Sequence, residues 1–114
     1  MSVASFGQIM PIQGFMLNLA GFGPSEIPGQ KDLVLPEDIA ERAVNIRAGM
    51  DRLVELTGEN HGVSLSDWHE ALLASEKFSL QYRFARSWPA VEQAIQMQII
   101  AADRSVVEKL ALTT

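Results

Sequence analysis

The feature that most constrains the fold is a helical period in residues 36–57, PEDIAERAVNIRAGMDRLVELT. One line of mostly apolar side chains advances by steps of four and three residues along this segment, while charged side chains fill its other faces. The line consists of Ile39, Ala43, Ile46, Met50, Leu53 and Thr57. Pro36 suits a first helical turn and Gly58 suits a left-handed C-terminal cap. The pattern predicts one amphipathic helix over residues 36–57.

The segment from residue 65 to residue 87 is apolar on two sides rather than one. Ser64 or Ser66 can cap its start, and Ser64 has the capping-box spacing to Asp67. A helix that is apolar on both sides is normally buried on both sides. A chain of 114 residues with one other strong helical signal offers little of its own structure to cover such a helix. We therefore predict a helix over residues 65–87 that packs by self-association.

A third helical pattern follows Pro89, which should kink or end the preceding helix because it lacks a backbone donor. Apolar side chains then recur at helical spacing, which predicts a helix over residues 90–111. No useful length alternates with a period of two, so no strand is predicted. The predicted fold class is all-α, with two or three long helices and assembly-dependent helical packing. The predicted self-assembly faces comprise Ile39, Ile46, Met50, Leu53, Trp68, Leu72, Phe78, Tyr82, Phe84, Trp88, Ile95 and Ile99.

The first 24 residues are apolar, rich in glycine and without a charged side chain. Two interpretations stay open: this segment folds back onto the domain, or it is a short, partly helical arm that docks on a partner, as exposed apolar surfaces usually do. The predicted partner-binding side chains of the arm are Phe6, Ile9, Met10, Phe15, Met16, Leu19 and Phe22. Residues 25–35 then form a predicted linker, and residues 36–114 a hairpin-like helical assembly domain.

Composition excludes several classes of function. The chain has no cysteine, which removes disulfides, thiolate metal sites and cysteine nucleophiles. Its net charge is −5 and its nine Lys and Arg residues form no basic stripe, so we expect no nucleic-acid partner. The sequence has no run of about eighteen apolar residues, so no transmembrane helix is predicted. The N-terminus lacks the basic region of a secretory signal, and we expect it to be mature sequence.

The histidines give a weak case for chemistry. His61 and His69 lie eight residues apart, whereas zinc on a helix usually takes histidines at i and i+4 with a further ligand. We expect both to be surface histidines, and capping accounts for the nearby serines. Asp103 and Arg104 look like solvated charge. We predict no enzyme activity, no metal and no cofactor. A metal-dependent enzyme that uses both histidines is the weakest of the hypotheses.

One stretch has a family likeness. A glycine–acid turn at residues 58–59 leads into a Val-Ser-Leu-Ser-Asp helix start at residues 63–67. An Ala-, Ser- and Gln-containing helix follows at residues 74–81, and residues 90–99 end on Met-Gln-Ile. In these parts the chain resembles the C-terminal half of the flagellar hook–basal body protein FliE family, and its helical pattern is similar to that of the inner-rod proteins of type III secretion systems.

The resemblance implies a non-enzymatic structural adaptor or rod component of a flagellar or type III secretion basal body. Such a subunit would be exported without a cleavable signal into the bacterial envelope or periplasm and would form a homo-oligomer. Its implied partners are copies of itself, rod subunits, and export-gate or ring proteins, with possible contact to a membrane-embedded complex. The alternative is a small helical accessory subunit that binds and stabilises a larger enzyme or membrane complex, which would be cytoplasmic.

Overall fold

The structure, a computed structural model, describes residues 2–4, 9–24 and 33–113. This part of the chain is mostly helical, with one small sheet. In chain order the elements are β1 (Ser2–Ala4), α1 (Pro11–Ala20), β2 (Gly23–Pro24), β3 (Leu33–Leu35), α2 (Ile39–Thr57), α3 (Leu65–Ala74), α4 (Ser79–Tyr82), α5 (Trp88–Ile99) and α6 (Arg104–Thr113). The prediction of a largely helical fold is confirmed, but the long helices are not.

Helix α2 is the element that the sequence pattern predicted best. It begins three residues later than predicted, where the Asp38 side chain accepts a hydrogen bond from the Ala40 amide at 2.8 Å. It ends at Thr57 as predicted, because Gly58 adopts a left-handed φ of 75° and its amide bonds the Val54 carbonyl oxygen. Its buried side chains are those of the predicted line, with Ala43, Ile46 and Leu53 wholly enclosed. One apolar face was enough to specify this helix.

Helix α1 occupies the centre of the fold and packs against α2, α5, α3 and α4. Gly49 of α2 lies so close to α1 that a Cβ atom there would sit 2.8 Å from the Phe15 carbonyl oxygen. The two helices therefore meet almost backbone to backbone. Met10 precedes α1, and Gly21 ends it with a φ of 114°. Helix α6 packs on α2 at the periphery.

The position of α1 decides between the two interpretations of the N-terminal segment. The segment folds back onto the domain: Met16, Leu19 and Phe22 are buried, and Ile9, Met10 and Phe15 are partly buried against the same core. Phe6 lies outside the described residues. The predicted docking face of the arm is therefore occupied by this chain's own helices. The physical reason is that α1 supplies the apolar surface that the two-sided segment after residue 65 needs.

The predicted self-assembly faces are likewise part of the core of a single chain. Most of their side chains are buried, with Met50, Phe84, Trp88 and Ile99 partly buried and Ile39 exposed. The buried members are Ile46, Leu53, Trp68, Leu72, Phe78, Tyr82 and Ile95. A single chain therefore covers most of these side chains with its own elements, among them α1, which the sequence argument left out of the core.

The predicted continuous helix over residues 65–87 is wrong. Helix α3 ends at Ala74, four residues form α4, and turns at 75–78 and 83–87 separate these helices and α5. At the first turn the Ser75 hydroxyl accepts a hydrogen bond from the Phe78 amide at 3.1 Å. At the second turn, the buried Gln13 side chain donates to the carbonyl oxygens of Tyr82 and Phe84. Side-chain hydrogen bonds accompany both helix breaks, and hydrophobic periodicity does not reveal such bonds.

The predicted helix over residues 90–111 is also two helices. Helix α5 begins at Trp88, so Pro89 stands in its first turn, where proline is tolerated. It ends at Ile99, and a turn through Asp103 leads into α6. The break at residues 100–103 places Arg104 at the start of α6 with its side chain turned into the core. Burial of that side chain, rather than apolar spacing, determines this break.

The sheet was not predicted. Strand β3 lies in the middle and pairs antiparallel with β1 and with β2, with Val3 opposite Val34 and Gly23 opposite Val34. Strands of two or three residues are too short to show a period of two. Strand β3 also falls within the predicted linker, of which residues 25–32 lie outside the described part. Among the described residues, no helix has both the length and the apolar character needed to cross a membrane.

Candidate functional site

The chain buries a histidine at the junction of three helices. His69 of α3 is 6% exposed, and its Nδ1 lies 2.6 Å from the hydroxyl oxygen of Tyr82 in α4. Its Nε2 lies 3.2 Å from the amide of Gln96 in α5, and its ring stacks with Trp88 at a centroid distance of 6.3 Å. The prediction of an exposed His69 is therefore wrong, because α4 and α5 cover the flank of α3 that carries it. We call His69, Tyr82, Trp88 and Gln96 the histidine cluster.

The Tyr82 hydroxyl fixes how the hydrogens in this cluster are arranged. Tyr82 is wholly buried, so its hydroxyl hydrogen needs an acceptor inside the protein. His69 Nδ1 is the partner that the structure provides for it, and Nδ1 accepts only when it carries no hydrogen. The neutral ring then carries its hydrogen on Nε2 and donates it to Gln96. The Gln96 side-chain amide must present its oxygen to His69 for this bond, so the oxygen and the nitrogen of that amide exchange places.

Burial also sets the charge state of the cluster. It lowers the pKa of His69, and the nearby carboxylates of Glu92 and Glu70 oppose that effect without overcoming it. Burial raises the pKa of the Tyr82 hydroxyl, and the Glu92 charge adds to the increase. Both groups are therefore neutral at pH 7, and the tight contact joins an uncharged phenol to an uncharged imidazole.

A second buried polar side chain connects this junction to the central helix. Gln13 of α1 is fully buried, and its Nε2 donates to the Tyr82 carbonyl oxygen at 3.0 Å. Its Oε1 accepts from the Ser87 hydroxyl at 2.7 Å and from the Met10 amide at 3.0 Å. Sequence reasoning did not select Gln13. The available signal was a side-chain amide in a mostly apolar helix, PIQGFMLNLA, in which Asn18 is the other amide.

The hydroxyl groups of Tyr82 and Ser87 are enclosed, whereas Gln96 of the histidine cluster is exposed. Tyr82 is 0% exposed and Ser87 is 2% exposed, and each hydroxyl already has a partner within the protein. A nucleophile or general acid needs to reach the reacting atoms at hydrogen-bond distance. The arrangement can take up or release a proton at His69, and it holds α1, α3, α4 and α5 together.

The other histidine belongs to a separate contact. His61 packs edge-to-face on Trp68 at a centroid distance of 4.7 Å, and its Nε2 lies 3.9 Å from a Glu59 carboxylate oxygen. Trp68 donates its indole hydrogen to the Gly62 carbonyl oxygen at 2.8 Å. Within the described ranges, no three or more His, Asp and Glu side chains are grouped to hold a metal ion. The structure thus does not bring His61 and His69 into one ligand set there.

Arg104 is the second correction to the predicted surface. It was expected to be solvated, but it is 7% exposed, and its guanidinium donates to the carbonyl oxygens of Leu19, Ala20 and Val63. Its Nε also pairs with the Glu108 carboxylate at 2.7 Å. The cation thereby satisfies carbonyl groups at the C-terminal end of α1, where positive charge is favoured. This role is structural and links α6 to the turn before α3.

One exposed surface lies on α4, the helix whose buried Tyr82 belongs to the histidine cluster. We call residues 76–86, which comprise α4 and the turns on either side of it, the α4 corner. Phe78 and Tyr82 point inward, whereas Leu80 is 85% exposed, the largest exposed fraction among the large apolar side chains described. The charged side chains of Lys77 and Arg83 are exposed beside it. The other exposed large apolar residues are Ile39, Val44, Leu56, Met97, Ile100, Val106 and Leu112.

Comparison of the chain with family models, with curated proteins and with solved structures found no match.

Proposed function

We propose that this protein is a small, non-catalytic helical accessory subunit that binds a protein partner through the α4 corner. The observation that carries the proposal is the 85% exposure of Leu80 on a segment whose aromatic side chains are buried, as for Phe78 and Tyr82, or partly buried, as for Phe84. An exposed leucine on a single surface is common in soluble proteins. Here it lies between Phe78 and Tyr82 in the sequence, two residues whose side chains are buried in the core.

The charge around Leu80 indicates the chemistry of the partner. Three of the nine basic residues, against one acidic residue, Glu76, lie within the α4 corner of a chain whose net charge is −5. Lys77 and Arg83 are exposed on this stretch, and Lys77 also lies 5.2 Å from the Phe78 ring centroid. A basic rim around an apolar centre is complementary to an acidic amphipathic segment of another protein. The proposed partner presents an apolar side chain flanked by carboxylates.

The competing proposal is the flagellar or type III secretion adaptor implied by the family resemblance. In its favour, the α2 end at Gly58 and the capped start of α3 at Ser64 lie where the resembling stretch implies them. Against it, the side chains expected to pack between copies are used in the core of one chain. An accessory subunit needs only one exposed contact, so we favour it.

The isolated full-length chain provides the first test. Sedimentation at micromolar concentration should show a monomer with a cooperative thermal transition, because its apolar faces are already covered. Concentration-dependent growth into long or ring-shaped assemblies would overturn the accessory-subunit proposal and support the adaptor.

Co-purification provides the second test, with the wild-type chain, Leu80→Glu and Leu112→Glu compared side by side. Leu112 is 59% exposed on α6 and is the matched control. Loss of a stoichiometric, acidic partner with Leu80→Glu and its retention with Leu112→Glu would support the α4 corner. Equal binding by both variants, or loss with both while each still folds, would contradict it.

A further inference from the structure

A single buried side chain joins the inner face of the α4 corner to its two neighbours. His69 of α3 bonds Tyr82 of α4 through one ring nitrogen and Gln96 of α5 through the other. Trp88 closes the group by packing edge-to-face on Tyr82 at 5.0 Å. The chain has two histidines, and His69 is the one with both ring nitrogens in side-chain hydrogen bonds.

We infer that the His69–Tyr82 contact is an acid-sensitive latch, and that protonation of His69 releases the α4 corner from α3 and α5. The inference concerns the fold of the chain and holds whether or not the α4 corner binds a partner.

The arrangement of hydrogens makes the contact specific for the neutral ring. In the neutral cluster the Tyr82 hydroxyl donates to Nδ1, which must be free of hydrogen. Protonation adds a hydrogen to Nδ1, 2.6 Å from the phenol oxygen, so two donors then meet. The Tyr82 oxygen can accept the new hydrogen only if the Tyr82 hydroxyl hydrogen turns away from His69. That hydroxyl hydrogen then loses His69 Nδ1, its acceptor in the structure. A donor left without a partner in this buried position is destabilising.

The groups around His69 have opposing effects on its protonation. Glu70 on α3 and Glu92 on α5 favour the protonated ring by attraction. Tyr82 on α4 faces it as a neutral phenol, since burial raises the pKa of that hydroxyl. Desolvation of the imidazolium is the largest effect and acts against protonation. The two carboxylates moderate the acid sensitivity of the contact but do not reverse it.

The direction of the pH dependence follows from proton linkage. The pKa of His69 in the folded chain is below its usual value of 6.5, so the opened form binds more protons than the closed form. The closed form is therefore fully stable above pH 6.5 and loses stability as the pH falls below that value towards the lowered pKa. The α4 corner should open first, because α4 has four residues and turns on both sides, whereas α2 has nineteen.

Hydrogen exchange of the full-length chain tests the latch. Amide exchange is measured between pH 7.5 and pH 5.5 and corrected for the intrinsic exchange rate at each pH. We expect protection of residues 79–88 to fall as the pH decreases, by up to about tenfold per pH unit below 6.5, with α2 protection changing far less. In His69→Gln this pH dependence should disappear, and in His61→Gln, the matched control, it should persist.

Tyr82→Phe gives a second reading that does not depend on His69→Gln folding. It removes the hydroxyl hydrogen that protonation displaces, so the loss of protection in acid should become smaller. Protection of residues 79–88 that does not depend on pH, an unchanged response in His69→Gln, or loss of the response in His61→Gln would each overturn the latch.

Discussion

The contact between α1 and α2 and the junction of α3, α4 and α5 are built in different ways. The first is an apolar crossing of two regular helices, made close by Gly49. The second joins three shorter helices through buried side-chain hydrogen bonds, with His69, Tyr82 and Gln13 at its centre. The stability of the α1–α2 contact depends mainly on how closely the two helices fit, and that of the three-helix junction on pairing of hydrogen-bond donors with acceptors. This difference explains why apolar periodicity identified α2 but misread the segment after residue 65.

The comparison also separates two kinds of sensitivity. The α1–α2 crossing should respond to added volume and hardly to pH, because Arg52, which donates to the Asn18 side chain there at 2.8 Å, stays charged. A buried polar junction responds to the loss of a partner or to the arrival of a proton. The substitutions below are designed to disturb one region at a time, in order of decreasing expected effect.

Gly49→Ala should disturb the α1–α2 crossing most. Its Cβ atom would lie 2.8 Å from the Phe15 carbonyl oxygen and 2.9 Å from the Asn18 carbonyl carbon, and backbone atoms cannot rotate away. We expect the free energy of unfolding to fall by about 3 kcal/mol, at the upper end for overpacking. Chemical denaturation measures it.

Gly14→Ala in α1 is the matched control for that substitution. There the added carbon would lie 3.5 Å from Ile9 Cδ1, an ordinary contact, so replacing a helical glycine should stabilise by about 0.5 kcal/mol or more. If both substitutions had the same effect, the close crossing of α1 and α2 would be wrong.

Arg104→Met should weaken the connection between the two regions. The substitution leaves the carbonyl oxygens of Leu19 and Val63 without their donor and removes the pair with Glu108. We expect a loss of about 2 to 3 kcal/mol in unfolding free energy. Lys109→Met on the same helix is exposed and should change it by less than about 0.5 kcal/mol. Similar losses for both would show that Arg104 is solvated.

Gln13→Leu should weaken the junction of α3, α4 and α5 without changing the volume of α1 much. The Tyr82 carbonyl oxygen and the Ser87 hydroxyl would lose their buried partner, which we expect to cost about 2 kcal/mol. The loss should appear first as faster amide exchange in residues 79–88. Uniform loss across α2 as well would contradict the separation of the two regions.

The helix caps should give the smallest effects, and similar ones in the two regions. Asp38→Ala removes the acceptor for the Ala40 amide in α2, and Ser64→Ala removes the acceptor for the Asp67 amide in α3. Each should cost about 1 kcal/mol in thermal or denaturant unfolding. The Ser64 bond is longer, at 3.3 Å against 2.8 Å, so its removal should have the smaller effect of the two.

By itself, the sequence determined the local elements whose cause is local. The apolar line of α2, its glycine stop and the Ser64 cap of α3 each involve residues within one or two turns of one another. The spacing of side chains along the chain carries that information completely. The largely helical fold followed from the same periodicity, although the apolar faces were assigned to assembly between copies rather than to the core of one chain.

The tertiary structure decided what depends on residues distant in the chain. Gln13 and Ser87 are 74 positions apart, and Arg104 and Leu19 are 85 apart, yet each pair is hydrogen-bonded. The sequence pattern also could not show that His69 and Arg104 are buried, because a polar residue is solvated or enclosed according to which elements pack over it. Helices α4 and α5 cover His69, and placement of α1 turned predicted assembly faces into part of the core of one chain. Leu80 stays exposed. Periodicity reports that a face needs a partner, whereas only the packed chain shows which partner it has.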